Sequence, residues 1–101
     1  MNPEVGQMVA VFLENFRNEW PQVGKLTALH KDTADVHWYT GTTTSRWVAL
    51  DMPGRNGQSE AYISTICRTS FITGSFNLTG HCKLPQEIQR QLREKREELY
   101  N

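Results

Sequence analysis

Residues 19–50, EWPQVGKLTALHKDTADVHWYTGTTTSRWVAL, decide the fold: they hold all three tryptophans and three runs with strand-like patterning. In Thr33–Tyr39, Ala34, Val36 and Trp38 alternate with Asp35, His37 and Tyr39. Alternation puts the two sets on opposite faces of a strand, so only one of the rings of Trp38 and Tyr39 is expected in a core. Upstream, a strand from Trp20 or Gln22 to Leu29 has Val23 and Leu26 as inward residues. Its interior Gly24 predicts a bulge or sharp bend, and Pro21 fits only the strand's first position or an edge. His30-Lys31-Asp32 makes the turn between these strands. Gly41 with Thr42, Thr43 and Thr44 makes the next, before a short strand Ser45–Leu50 centred on Trp47.

Working outward, Met8, Ala10 and Phe12 alternate with Val9, Val11 and Leu13, all apolar, as in a strand buried on both faces. Asn15–Glu19 is a polar loop carrying one aromatic, Phe16. Residues 51–60, DMPGRNGQSE, contain Pro-Gly and Asn-Gly and few apolar side chains, which predicts the longest mobile loop. Ala61–Arg68 reads as a fifth strand and Phe71–Leu78 as an extended edge. From Pro85 to Tyr100 the period becomes helical, with Leu84, Ile88, Leu92 and Leu99 on one stripe. The other face pairs Arg90 with Glu94 and Arg93 with Glu97 at i, i+4. The stripe is expected to pack on the sheet, since a protruding dimerising coil would have only about two heptads.

The chain has 101 residues, enough for one modest core, and its eleven Lys plus Arg balance eleven Asp plus Glu. That balance disfavours nucleic acid, whose binding is driven by counterion release, although a neutral total can hide a local patch. No apolar run approaches the roughly 20 residues that span a bilayer, so no membrane partner is expected. Cys67 and Cys82 lack C-x-x-C spacing and read as buried or half-buried free thiols in a reducing compartment, nuclear or cytosolic. No signal-peptide pattern occurs in residues 1–20.

Catalysis would need a nucleophile, a base and a carboxylate in a common setting. Cys67, Cys82, His30, His37 and His81 sit in no such motif, and neither a phosphate-cradling loop nor metal-ligand spacing occurs, so no enzyme, metal or cofactor is expected. Aromatic side chains offer another chemistry. Trp20, Tyr39 and Trp47 fall at strand starts, ends or turns, where a barrel rim would lie. Ring faces attract ammonium groups, and a carboxylate such as Glu19, Asp35 or Asp51 would strengthen the pull.

In this order the residues resemble a Tudor domain of the Royal superfamily over roughly residues 5–50. Val5-Gly6-Gln7-Met8-Val9-Ala10-Val11 corresponds to the family's glycine-led first strand, Trp20-Pro21-Gln22-Val23-Gly24-Lys25-Leu26 to its second, and Val36-His37-Trp38-Tyr39-Thr40-Gly41 to its third. The resemblance implies a small SH3-like barrel; joined to the strands and helix read above, it gives the expectation of a mainly β fold, a five-stranded barrel over 1–82 with a C-terminal amphipathic helix over 83–101 packed on it. It also implies a cage for methylated lysine or arginine walled by Trp20 and Tyr39, and hence a methylated histone or other nuclear protein peptide as partner. Thr42, Thr43 and Thr44 stand where Tudor cages carry a further aromatic and an Asn or Asp, so a cage here would recruit Phe16, Phe12, Trp38 or Trp47. The first half is also similar to bromo-adjacent homology domains and to the small barrel of retroelement integrases. Two alternatives follow: a module for an unmodified protein partner, gripped by the aromatic rim or by helix residues such as Arg93 and Arg96, and a nucleic-acid-binding barrel.

Overall fold

The computed structural model describes residues 3–13 and 22–100. Among the described residues seven strands precede one α-helix: β1 (Met8–Val11), β2 (Gln22–Leu29), β3 (Thr33–Thr40), β4 (Val48–Ala49), β5 (Asp51–Pro53), β6 (Ser59–Ala61), β7 (Ile63–Cys67) and α1 (Gln86–Tyr100). The fold is mainly β and antiparallel. One sheet runs β1-β2-β3-β4 with β7 also on β3, and β5 and β6 form a separate two-stranded ribbon.

β3 forks at Trp38. Its first half, Thr33–His37, pairs with β7, while Tyr39 and Thr40 pair with β4. Three backbone bonds close the fork: Leu50 N–H donates to the Trp38 carbonyl (2.8 Å), Trp38 N–H to the Tyr62 carbonyl (2.9 Å), and Tyr62 N–H to the Leu50 carbonyl (3.0 Å). The ribbon β5–β6 leaves the sheet at this point. It is the stretch whose Pro-Gly and Asn-Gly predict a mobile loop; instead, Asp51–Pro53 pairs with Ser59–Ala61 across a 3-10 turn at Arg55–Gly57. Asn56 and Gly57 take positive φ there, the geometry that a tight connection between paired strands needs, so the same dipeptide signals a hairpin tip.

The opposite edge of the sheet is β1. Phe71 bridges Val11 and Phe76 bridges Met8, so residues 71–76 lie along that edge. They are reached from β7 through a single 3-10 turn, Arg68–Ser70. Arg68 N–H donates to the Asp32 carbonyl in the β2–β3 turn (3.0 Å), and Phe12 N–H donates to the Ser70 carbonyl (3.0 Å). Three residues thus carry the chain from the β3 side to the β1 side, which requires a strongly coiled sheet.

Apolar clusters cover both faces. On one, Val9, Val11, Leu26, Ala34, Val36 and Trp38 are buried together. On the other, Met8, Ala10, Val23, Trp47 and Phe76 receive Leu84 from the segment before α1 and Ile88 and Leu92 from α1, with Tyr39 packed against them. Trp38 and Tyr39 do point to opposite faces, but because each face has its own cluster, both rings contribute to cores. The four residues of β1 are wholly buried for the same reason.

Gly24 is no bend. A Cβ there would sit 2.2 Å from Val36 Cγ1 and 2.8 Å from the His37 carbonyl oxygen, so glycine permits close approach of β2 to β3. The irregularity falls later, between Leu26 and Ala28, and lets Leu26 and Leu29, three positions apart, share one cluster. Gly24→Ala should therefore destabilise the protein by about 1–3 kcal/mol or more through overpacking, read as a lowered urea midpoint; an unchanged midpoint would show that β2 and β3 can part freely.

Candidate functional site

The five proposed cage residues have different fates. Phe16 and Trp20 lie outside the described residues, as do Glu19 and Pro21. Trp38 and Trp47 are 8% and 3% exposed, in clusters on opposite faces, so neither offers an open ring face. Tyr39 is half-buried and shares the cluster of Trp47. Phe12 continues β1 and is half-buried.

Each tryptophan has a local cause for its position. Trp38 follows the alternation of β3, and its indole N–H donates to Ser64 Oγ on β7 at 2.9 Å. Trp47 is set by Gly41: a Cβ there would lie 2.6 Å from the indole Cδ2, so the glycine turn is the seat of the ring. Trp47 N–H donates to the Cys82 carbonyl (2.7 Å), and Arg46 bridges Lys83, which ties the turn to the segment leading into α1. The Trp47 indole N–H is buried with no acceptor among the described residues. An unpaired buried donor costs about 1–3 kcal/mol.

The open part of the helix-bearing face lies along β3. Tyr39, His37 and Asp35 stand at i, i+2 spacing on it. His37 meets Tyr39 edge to face, ring centroids 5.8 Å apart. Lys25, paired with His37 across β2 and β3, places its ammonium 6.0 Å from the Tyr39 centroid. His37 Nε2 lies 3.1 Å from the Leu50 carbonyl oxygen and 3.6 Å from Asp51 Oδ1. A carbonyl can only accept, so the ring carries its proton on Nε2. Asp35 continues the row: Thr65 Oγ1 donates to it at 2.6 Å and His30 Nε2 lies 3.3 Å away. The Thr65 hydroxyl, and after it His30, hold the Asp35 carboxyl below its ordinary value.

Sequence reasoning picked out Tyr39, Asp35 and Asp51, weighed His37 only as a catalytic or metal candidate, and passed over Lys25. The alternation of β3 already places His37 beside Tyr39. Lys25 required the β2–β3 register, which no local pattern supplies.

Beside this row, the fork exposes an apolar strip. Val48, Leu50 and Met52 are 61%, 36% and 43% exposed, and Tyr62 is 41% exposed. The bond from Tyr62 N–H to the Leu50 carbonyl makes these two cross-strand neighbours. Cys67 is exposed and Cys82 half-buried, both free, so the expectation of burial fails at Cys67, on the last residue of β7. Among the described residues no three His, Cys, Asp or Glu side chains converge as a metal site, and no helix is long and apolar enough to cross a membrane. No family model, curated protein or solved structure matches the chain.

Two outcomes follow from this geometry. Trp38→Phe should cost about 1 kcal/mol more than Trp47→Phe, because only the first breaks a satisfied hydrogen bond; equal losses of urea stability would mean that the Trp47 donor has a partner. Asp35 has a folded pKa below its unfolded value, so its contribution to stability is present above the unfolded pKa and lost as pH falls through the folded one. Thr65→Ala should move the Asp35 titration, followed by carboxyl NMR, upward towards the ordinary range and shrink that acid-side loss.

Proposed function

We propose that this chain is a non-catalytic recognition module, an SH3-like barrel of Tudor type, that takes a methylated lysine or arginine of a histone or other nuclear protein tail on the ring of Tyr39. One observation carries the reading: a cation, Lys25 Nζ, already lies 6.0 Å from that ring's centroid. A ring face that attracts one ammonium attracts another, and a methylated one gives up less hydration on leaving water. The ligand then displaces Lys25, and the Asp51 carboxylate beside His37 adds favourable charge. Trp20 joins the cage on the strength of the resemblance alone, and Phe16 is recruited in place of the further aromatic that Tudor cages carry. Trp47, buried in the cluster against which Tyr39 packs, backs that ring, while Trp38 is buried on the opposite face. The barrel reading is supported by the 3-10 turn at Arg68–Ser70, which joins the two sides of the coiled sheet.

The exposed pair Leu50 and Tyr62 favours a second reading, a module that grips an unmodified protein segment on the apolar strip. Titration with lysine- and arginine-methylated tail peptides and their unmodified twins, followed by amide NMR shifts, separates the two. Methyl recognition predicts saturable shifts at Lys25, His37 and Tyr39 for methylated peptides only, a loss of about tenfold or more in affinity in Tyr39→Ala, and no effect of Leu50→Asp. Equal responses to both peptides, abolished by Leu50→Asp, would replace the first reading with the second.

A further inference from the structure

The charges of α1 are unevenly used. Arg90 is held by Glu87 and by Glu94 (2.9 Å), and Lys95 by Glu98 (3.4 Å). The pairing expected between Arg93 and Glu97 does not form, and among the described residues neither Arg93 nor Arg96 has an ion-pair partner. Gln86, Gln89, Arg93 and Arg96 follow one another at helical spacing in a row without a carboxylate. This row borders the stripe that Ile88 and Leu92 bury, so it looks across at the turn before Trp47.

Between row and turn lies a groove of about 340 Å³ lined by Thr43, Thr44, Gln89, Arg93 and Arg96. Its far wall is locked from within. Thr42 N–H donates to Ser45 Oγ (2.7 Å) and Ser45 N–H to Thr42 Oγ1 (3.2 Å), a reciprocal pair that fixes the two threonines between them. Gln89 Nε2 donates to the Leu84 carbonyl (2.9 Å), which fixes the floor. Arg46 and Lys83, bridged through their backbones, bring two more cations to the same turn, and among the described residues neither has an ion-pair partner.

We propose that this groove binds a phosphate monoester dianion carried by a phosphorylated side chain of a protein partner. Two guanidinium forks and two hydroxyls offer more donors than a planar carboxylate can use, whereas the three terminal oxygens of a phosphate use them in pairs. The site is a single concavity and not a track. Among the described residues Lys25 is engaged over Tyr39, Arg68 Nη1 donates to the His30 carbonyl, and Arg90 and Lys95 are paired, which withdraws these four cations from any track that a nucleic-acid backbone could follow. The groove is also independent of the Tyr39 ring.

The test titrates the full chain with a phosphothreonine peptide, its unphosphorylated twin, inorganic phosphate and a single-stranded oligonucleotide, following Thr43 and Thr44 amides and Arg93 and Arg96 Nε–H signals. The expected result is saturable binding of the phosphopeptide, at least about tenfold tighter than its twin, with the same signals moved weakly by inorganic phosphate. Arg93→Gln with Arg96→Gln should abolish it without lowering the melting temperature, since both side chains are exposed. Arg90→Gln and Tyr39→Ala should leave it intact, which keeps this result separable from methyl recognition. Equal binding of both peptides, no movement of the groove signals, or tighter binding of the oligonucleotide with a salt dependence that steepens with its length would overturn the proposal.

Discussion

The backbone of Trp38 is shared by three strands, and most of the architecture follows from that constraint. Its carbonyl is taken by Leu50 and its amide by Tyr62, so β3 cannot keep one neighbour along its length. β7 must stop where β4 begins, and the ribbon between them is forced out of the sheet. The Leu50 carbonyl accepts from Tyr62 N–H and from His37, filling both lone pairs, so the fork also orients the imidazole beside Tyr39. The buried indole beneath the fork, with its N–H on Ser64, ties β3 to β7 at the junction.

Two glycines let the sheet serve two cores. Gly24 brings β2 against Val36 on one face, and Gly41 admits the Trp47 ring on the other. Between them β1 contributes Val9 and Val11 to one cluster and Met8 and Ala10 to the other. Among the described residues a helix covers the second face alone, at the Trp47 end, while Tyr39, His37 and Lys25 remain partly open. The neutral total charge conceals this asymmetry: the ion pairs of α1 leave Arg93 and Arg96 unmatched beside the threonine turn.

Much of this was legible in the residues themselves. Alternation in Thr33–Tyr39, the doubly apolar run of β1 and the period of α1 each report a local geometry, and each element forms close to where its pattern lies. Failures came where tertiary pairing decides. Asn56 and Gly57 signal a turn equally well in a loop or at a hairpin tip, and only the register of Asp51–Pro53 with Ser59–Ala61 distinguishes them. That Trp38 and Tyr39 both pack inward depends on a second cluster that Phe76, Leu84, Ile88 and Leu92, far along the chain, complete. The same holds for the candidate sites, because Lys25 reaches Tyr39 through strand register and Thr43 reaches Arg93 through the docking of α1.

The ribbon β5–β6 leaves the body of the protein at the fork, and every strand residue in it is exposed. Its sequence is therefore released from the demands of either core. Substitution, lengthening or exchange of its tip alters what the molecule displays without altering how it folds. In such an appendage, specificity can diverge rapidly while the scaffold beneath stays fixed, and a foreign loop can be grafted with the least disturbance.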